Sequence, residues 1–217
     1  MNFEQARSNM IEQQIRTWEV LDQRVLDLLA SVPREDFVPS RYRSLAFSDT
    51  NIPLGFSEVM MAPKVEARML QVLAIEPGDR ILEIGTGSGY VTALLARSGR
   101  EVTTVEIHPE LCAGAKVRVS QHGLENVRFE VGNGLDRSAT EGDYDVIAVT
   151  GSLPVYTDHF EKRLAVCGRV FLIVGQAPVM EAMLVTRVGA REFAREGLFE
   201  TDLPPLRGAP TPKRFVF

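Results

Sequence analysis

The chain has 217 residues, 45% hydrophobic and 24% charged, with 24 Lys and Arg against 29 Asp and Glu. This is the composition of one globular unit long enough to bury its own core, and it excludes collagen-like, low-complexity and disulfide-stapled classes. The net charge of −5 argues against a surface that neutralises nucleic-acid phosphates, and no apolar run approaches the ~20 residues that span a bilayer.

Residues 1 to 75 read as a helical extension. Met10, Ile11, Ile15 and Trp18 recur at helical spacing. Asp22 is placed to cap a second helix carrying Val25, Leu26, Leu28 and Leu29, which stops before Pro33. Pro33 to Pro39 reads as an extended passage and Asn51 to Gly55 as a loop. Pro63 opens a helix through Val65, Met69, Leu70 and Leu73. The first residues, Met1 to Ile15, mix polar and apolar side chains and lack the apolar run of a signal peptide.

From residue 76 onward strands and helices alternate. Strands are predicted over Arg80 to Ile84, Glu101 to Val105, Val127 to Val131, Asp145 to Val149 and Gly168 to Val174. Helices are predicted over Tyr90 to Arg97, Pro109 to His122 and Thr157 to Leu164. Such alternation makes a parallel sheet with helices on both faces. Ala182 to Val188 and Ala190 to Phe199 are separated only by Gly189, too short a gap for a helical crossover, so they form an antiparallel hairpin. A parallel sheet ending in such a hairpin points to a three-layer αβα sandwich of the Rossmann-like, class I methyltransferase kind. Residues 76 to 217 form its cofactor-binding unit. Cys112 and Cys167 match no metal-ligand spacing and read as small buried residues in a reducing, cytoplasmic setting.

Three segments carry candidate chemistry. Glu83-Ile84-Gly85-Thr86-Gly87-Ser88-Gly89 lies between the first strand and the first helix of the alternating zone, where ligand loops sit. Its G-x-G-x-G spacing differs from the G-x-G-x-x-G of dinucleotide binders. Glu83 disfavours a nearby pyrophosphate and suits a ligand with an ammonium and a sulfonium, such as S-adenosyl-L-methionine. Glu106, followed by Ile107, ends the next strand, where an acid hydrogen-bonds ribose hydroxyls; with the glycine loop present this is favoured over a solvated helix-capping acid. Asn133-Gly134 follows the strand after that. It can reach an adenine edge, or be simply a turn. Both the glycine spacing and the terminal hairpin oppose a nicotinamide oxidoreductase. Thr150 to Pro154 lacks the Asn/Asp-Pro-Pro-Tyr of enzymes that methylate amino groups of bases.

With these sites in order, the chain resembles the protein-L-isoaspartate O-methyltransferases. The likeness includes Met10 to Arg16, Val32-Pro-Arg-Glu-Asp-Phe-Val-Pro39, Ile52-Pro-Leu-Gly55, Leu82 to Tyr90, Glu106, Gly132 to Gly134, Gly168-Arg169 and Leu203-Pro-Pro-Leu206. The resemblance implies a repair enzyme that methylates the stray α-carboxylate of isoaspartyl residues in damaged proteins, the ester then closing to a succinimide. It implies S-adenosyl-L-methionine at Glu83, Gly85, Thr86, Gly87, Ser88, Gly89, Glu106, Ile107, Asn133 and Gly134. It implies peptide or protein substrates, with neither metal, nucleic acid nor membrane involved.

The chain departs from the family between Gly55 and Pro63. There Glu58 replaces the usual Gln, Val59 replaces Thr, and Met61, next to Met60, occupies the place of the active-site Ser. Asn133 replaces the usual Asp, and Arg207 stands where a small or hydroxylated residue is more common. Glu58, Val59, Met61 and Arg207 are the substrate-side candidates, and no catalytic acid or base is expected. An unpaired Glu58 would repel an anionic substrate. A relative that methylates a different substrate, or a non-catalytic cofactor binder, is the alternative.

Overall fold

The computed structural model describes residues 2–136 and 142–212. Helix α1 (Phe3–Met10) is capped by Asn2, whose side chain accepts the Gln5 amide. The predicted run to Trp18 does not continue as one regular helix. It loosens into a π-turn over Ile11–Ile15 and a 3-10 turn over Arg16–Trp18. The Thr17 hydroxyl donates back to the carbonyls of Gln13 and Gln14, the local competition that loosens helical ladders. Helix α2 (Gln23–Ser31) starts at Asp22, which accepts the Arg24 amide, and buries Val25, Leu26 and Leu29.

Two expectations for the following stretch are corrected. Pro33 to Pro39 is not extended throughout: Arg34–Asp36 form a 3-10 turn, with the Phe37 amide bonded to the Arg34 carbonyl. That turn carries the Arg34 side chain inward. Asn51 to Gly55 is not merely a loop: β1 (Ile52–Gly55) pairs antiparallel with β2 (Glu58–Met60), leaving Phe56 and Ser57 as a two-residue tip. Pro53 is tolerated because a two-stranded ribbon has only edge strands. Helix α3 (Pro63–Leu73) then begins at its proline as expected.

The main sheet has seven strands: β3 (Arg80–Ile84), β4 (Glu101–Glu106), β5 (Val127–Val131), β6 (Tyr144–Leu153), β7 (Leu164–Gln176), β8 (Val179–Arg187) and β9 (Phe193–Thr201). Their spatial order is β5-β4-β3-β6-β7-β8-β9, parallel from β5 to β7 and antiparallel across β7, β8 and β9. Helices α4 (Tyr90–Ser98) and α5 (Pro109–Gln121) fill the crossovers between β3, β4 and β5.

Successive strand residues serve opposite faces. Ile81, Val146, Ala148, Phe171 and Ile173 pack with α2, α3 and α4 through Leu29, Met69, Leu73 and Leu94. Leu82, Ile147, Val149, Val170 and Leu172 pack on the other side with Phe160 and Leu164. One core therefore joins the N-terminal helices to the sheet.

The predicted helix from Thr157 to Leu164 is absent apart from a 3-10 turn at Glu161–Arg163. Tyr156, Phe160 and Leu164 share a helical spacing, yet Phe160 packs onto the sheet from a turn and Leu164 already begins β7. Between Leu164 and Arg169 the β7 register shifts, with Cys167 at φ +68°. Cys167 is exposed there, against the expectation of burial, whereas Cys112 is buried as expected. No helix among the described residues is long and apolar enough to cross a membrane. Among those residues no cluster of His, Cys, Asp and Glu is arranged to hold a metal.

Candidate active site

The C-terminal ends of β3, β4 and β6 open into a cavity, the expected ligand position of an open α/β sheet. The empty space it bounds, open solvent at the mouth included, is about 630 Å³. Ile84, Gly85, Gly87, Val105, Glu106, Ile107, Gly132, Asn133 and Gly134 form the sheet side. Glu58, Val59 and the stretch from Leu203 to Arg207 form the mouth.

The glycine loop turns sharply because Gly85 sits at φ +97° and Gly89 at φ +84°, values that L side chains rarely adopt. A Cβ on Gly85 would run into the Thr150 hydroxyl, and one on Gly89 would press on Ala115 of α5. Thr150 donates to the carbonyls of Ile84 (2.9 Å) and Gly85 (2.6 Å) and so fixes the end of β3.

Glu106 is buried and held on both oxygens. Oε2 accepts the Gly87 amide at 2.8 Å, and Oε1 accepts the His108 amide at 3.0 Å at the start of α5. A carboxylate has about four acceptor positions and these two bonds use two, so the capping role leaves room for the ribose role. Asn133 makes its own turn, Oδ1 accepting the Leu135 amide at 3.0 Å. That bond fixes the amide and leaves Nδ2 without a partner among the described residues.

Not every predicted residue reaches this wall. Glu83, expected beside the ligand, is fully buried behind the loop and does not line the cavity. Its Oε2 accepts the hydroxyls of Thr92 (2.5 Å) and Thr104 (2.6 Å). Burial pushes its carboxyl up to about 8, with those two hydroxyls pulling it down and the Glu106 charge adding to the rise. Thr86 shares a 2.6 Å bond with Thr104, and Ser88 accepts the Tyr90 amide at the helix start. Thr86, Ser88 and Gly89 thus shape the loop from below rather than face the cavity.

Met60 and Met61 are also turned away. Both side chains lie in the main core, 4% and 3% exposed, and neither lines the cavity. Of the run Val59-Met60-Met61, Val59 alone does so. Met61 is held through its backbone: its carbonyl accepts Arg34 Nη2 at 2.6 Å. Arg34 is itself fully buried, with Nε donating to the Ala46 carbonyl and Nη1 paired to Glu66. Burial pushes the Glu66 carboxyl up to about 7, against the pull of the Arg34 charge. Arg34 lies in the Pro-Arg-Glu-Asp-Phe-Val-Pro run, but sequence alone gave no sign that it grips Met61.

Glu58 and Arg207, chosen separately as substrate-side residues, touch. Glu58 Oε1 accepts Arg207 Nε at 3.1 Å and lies 3.3 Å from His108 Nε2. Arg207 Nη2 also donates to the Phe56 carbonyl. The Phe56 ring stacks on His108 at 4.6 Å. These contacts hold a tip in which Phe56 and Ser57 both have positive φ, +56° and +67°. Such non-glycine conformations cost about 1–3 kcal/mol each and persist where the surroundings fix them. The expected repulsion by Glu58 is thereby removed, since its charge is paired.

Ile84, Val105, Gly132, Thr150, Gly151 and the run from Leu203 to Leu206 line the cavity although none was a candidate site residue. Ser152 stitches the stretch to β6: its amide donates to the Pro204 carbonyl, its hydroxyl to that of Leu203, and its carbonyl accepts the Leu206 amide. The Leu-Pro-Pro-Leu run was the available signal.

The sequence model of the family described as Protein-L-isoaspartate(D-aspartate) O-methyltransferase (PCMT) matches residues 5–201. A protein-L-isoaspartate O-methyltransferase of Koribacter versatilis (strain Ellin345) is 35% identical over 206 residues, covering 95% of this chain and 92% of the relative. A solved structure described as a protein-L-isoaspartate O-methyltransferase superposes with a TM-score of 0.78 at 25% identity, over 93% of this chain and 66% of that one. Another, from Plasmodium falciparum and described by the same activity, was solved with S-adenosyl-L-homocysteine. It superposes at 0.80 with 18% identity over 95% of this chain and 99% of that one, a likeness of fold. The chain belongs to the protein-L-isoaspartate O-methyltransferase family.

Proposed function

We propose that this protein transfers a methyl group from S-adenosyl-L-methionine to the free carboxylate of isoaspartyl residues in damaged proteins. One observation carries the reading: a single cavity joins the Gly85–Gly87 backbone, Glu106 and Asn133 to a mouth bearing Arg207. The wall suits this cofactor. Glu106 has spare acceptor positions for ribose hydroxyls, and the Asn133 amide nitrogen, unpartnered among the described residues, is a donor for an adenine ring nitrogen. Ile107, partly exposed at the cavity, offers an apolar face to a ring. Gly85 and Gly87 admit close backbone approach. Glu83 supports the loop from behind through Thr92 and Thr104.

When bound, the cofactor supplies a methyl carbon activated by its sulfonium. The acceptor carboxylate is ionised at pH 7 and needs no base. The chain's task is to align and to exclude water. Arg207 is the group we assign to the incoming carboxylate. Val59, Leu203, Pro204, Pro205 and Leu206 shield the mouth. A protein or peptide substrate and a cytoplasmic setting, without nucleic acid or membrane, belong to the same proposal; the net charge of −5 supports it.

The test is methyl transfer from labelled S-adenosyl-L-methionine to an isoaspartyl peptide beside its aspartyl twin. Base-labile label on the isoaspartyl peptide alone is the expected result. No label, with the cofactor bound, would favour the second reading, a methyltransferase for a less charged acceptor. That reading draws on Val59 at the mouth.

A further inference from the structure

Glu58 and Arg207 stand 149 positions apart and form one ion pair. The pair lies at the mouth of the cavity, and both residues line it. Glu58 uses a single oxygen, Oε1, for both Arg207 Nε and His108 Nε2. Arg207 spends Nε on Glu58 and Nη2 on the Phe56 carbonyl. Its Nη1 has no partner among the described residues. A guanidinium is a rigid planar fork, so fixing one edge fixes the direction of the other.

We infer that Glu58 is a positioning residue: with His108 and the Phe56 backbone it sets Arg207 across the cavity mouth, so that the remaining guanidinium N–H groups meet the substrate carboxylate. This rests on the function proposed above and deepens it. The acid at position 58 then does not oppose an anionic acceptor. It neutralises one edge of the arginine and aims the other. The site thereby selects an acceptor carrying a full carboxylate over one carrying a neutral amide or hydroxyl, because a neutral group leaves the aimed N–H groups poorly paired.

The experiment compares wild type, Glu58→Ala, Glu58→Gln, Arg207→Gln and the Glu58→Ala/Arg207→Gln double variant. Methylation kinetics use an isoaspartyl peptide, and peptide binding is read by calorimetry on protein loaded with S-adenosyl-L-homocysteine. Glu58→Ala and Arg207→Gln should each raise the peptide KM roughly tenfold with little change in kcat. Glu58→Gln should recover most of that loss, since its amide oxygen still accepts from Arg207 Nε. The double variant should be no worse than Arg207→Gln alone. A peptide KM that is unchanged or lowered in Glu58→Ala, or losses that simply add in the double variant, would overturn the positioning role and leave the repair reading intact. A peptide that binds wild type, binds Glu58→Ala roughly tenfold more weakly, and is never methylated would uphold the positioning role and overturn the repair reading. A peptide that binds none of the proteins would overturn both.

Discussion

On the sheet side of the cavity, Glu106 is gripped by the amides of Gly87 and His108, and the glycine loop by the hydroxyl of Thr150. On the hairpin side, Glu58 is gripped by Arg207, whose side chain is 50% exposed, and the tip by a ring stack with His108. The first wall is backbone geometry with short side chains locked into it. The second is long side chains reaching between distant segments. A wall of the first kind keeps its shape while residues change around it, whereas one of the second kind changes specificity with one or two substitutions. Of the substrate-side candidates, Glu58, Val59 and Arg207 stand in the second wall, whereas Met61 lies in the core behind it.

The strongest way to break the second wall is from below. Arg34→Met leaves Glu66 buried without its partner and releases the Met61 carbonyl, and removing one member of a buried pair costs about 3–5 kcal/mol. Urea denaturation should show this loss, and Arg34→Met/Glu66→Leu should recover a large part of it. Equal losses in the single and double variants would mean the pair itself matters little.

Met61→Ser comes next. By the sequence it would restore an active-site hydroxyl, but the side chain lies in the core, so the change resembles a buried Met→Ala truncation at about 2–5 kcal/mol. The expected outcome is a less stable protein with no gain in isoaspartyl methylation. A stable variant with raised methylation would show that position 61 turns toward the cavity.

Glu83 sharpens the first wall through pH. Its folded value of about 8 lies well above the 4.5 of an ordinary glutamate. Between those values the folded state holds a proton that the unfolded chain releases, so this group's contribution to stability falls as pH rises through the window. Glu83→Gln removes the effect. The difference in Tm, variant minus wild type, should therefore grow in the variant's favour from pH 5 to pH 8. A difference independent of pH would contradict burial as the cause. The smallest effect belongs to the exposed clasp: Glu58→Gln should change global stability by no more than ~1 kcal/mol, measured by the same denaturation, even where it alters peptide KM.

Legibility in the sequence followed the same division. Gly85, Gly87, Glu106, Asn133 and Gly134 reach the cavity because each sits at or just beyond the C-terminal end of a strand, and strand ends are read from local hydrophobic pattern. Glu83 misled because a strand's last residues alternate between faces, and its face is the buried one, under Thr92 and Thr104. The direction of Met61 depended on Arg34, 27 positions away, and the pairing of Glu58 on Arg207, 149 positions away. No local period encodes either. The helix expected over Thr157 to Leu164 failed for a related reason. Its apolar spacing was real, but Phe160 buries from a turn against a sheet face that was already formed by neighbouring strands.

The most direct measurement sets the two walls against each other in one experiment, with S-adenosyl-L-methionine affinity by calorimetry and peptide KM by methylation in Glu106→Ala and Arg207→Gln. Loss of a charged hydrogen-bonding group should weaken cofactor binding in Glu106→Ala by about 1.5–3 kcal/mol, with peptide KM at saturating cofactor nearly unchanged. Arg207→Gln should leave cofactor affinity unchanged and raise peptide KM. If each variant instead shifts both constants together, the cavity is a single coupled wall and the division argued from its geometry is wrong.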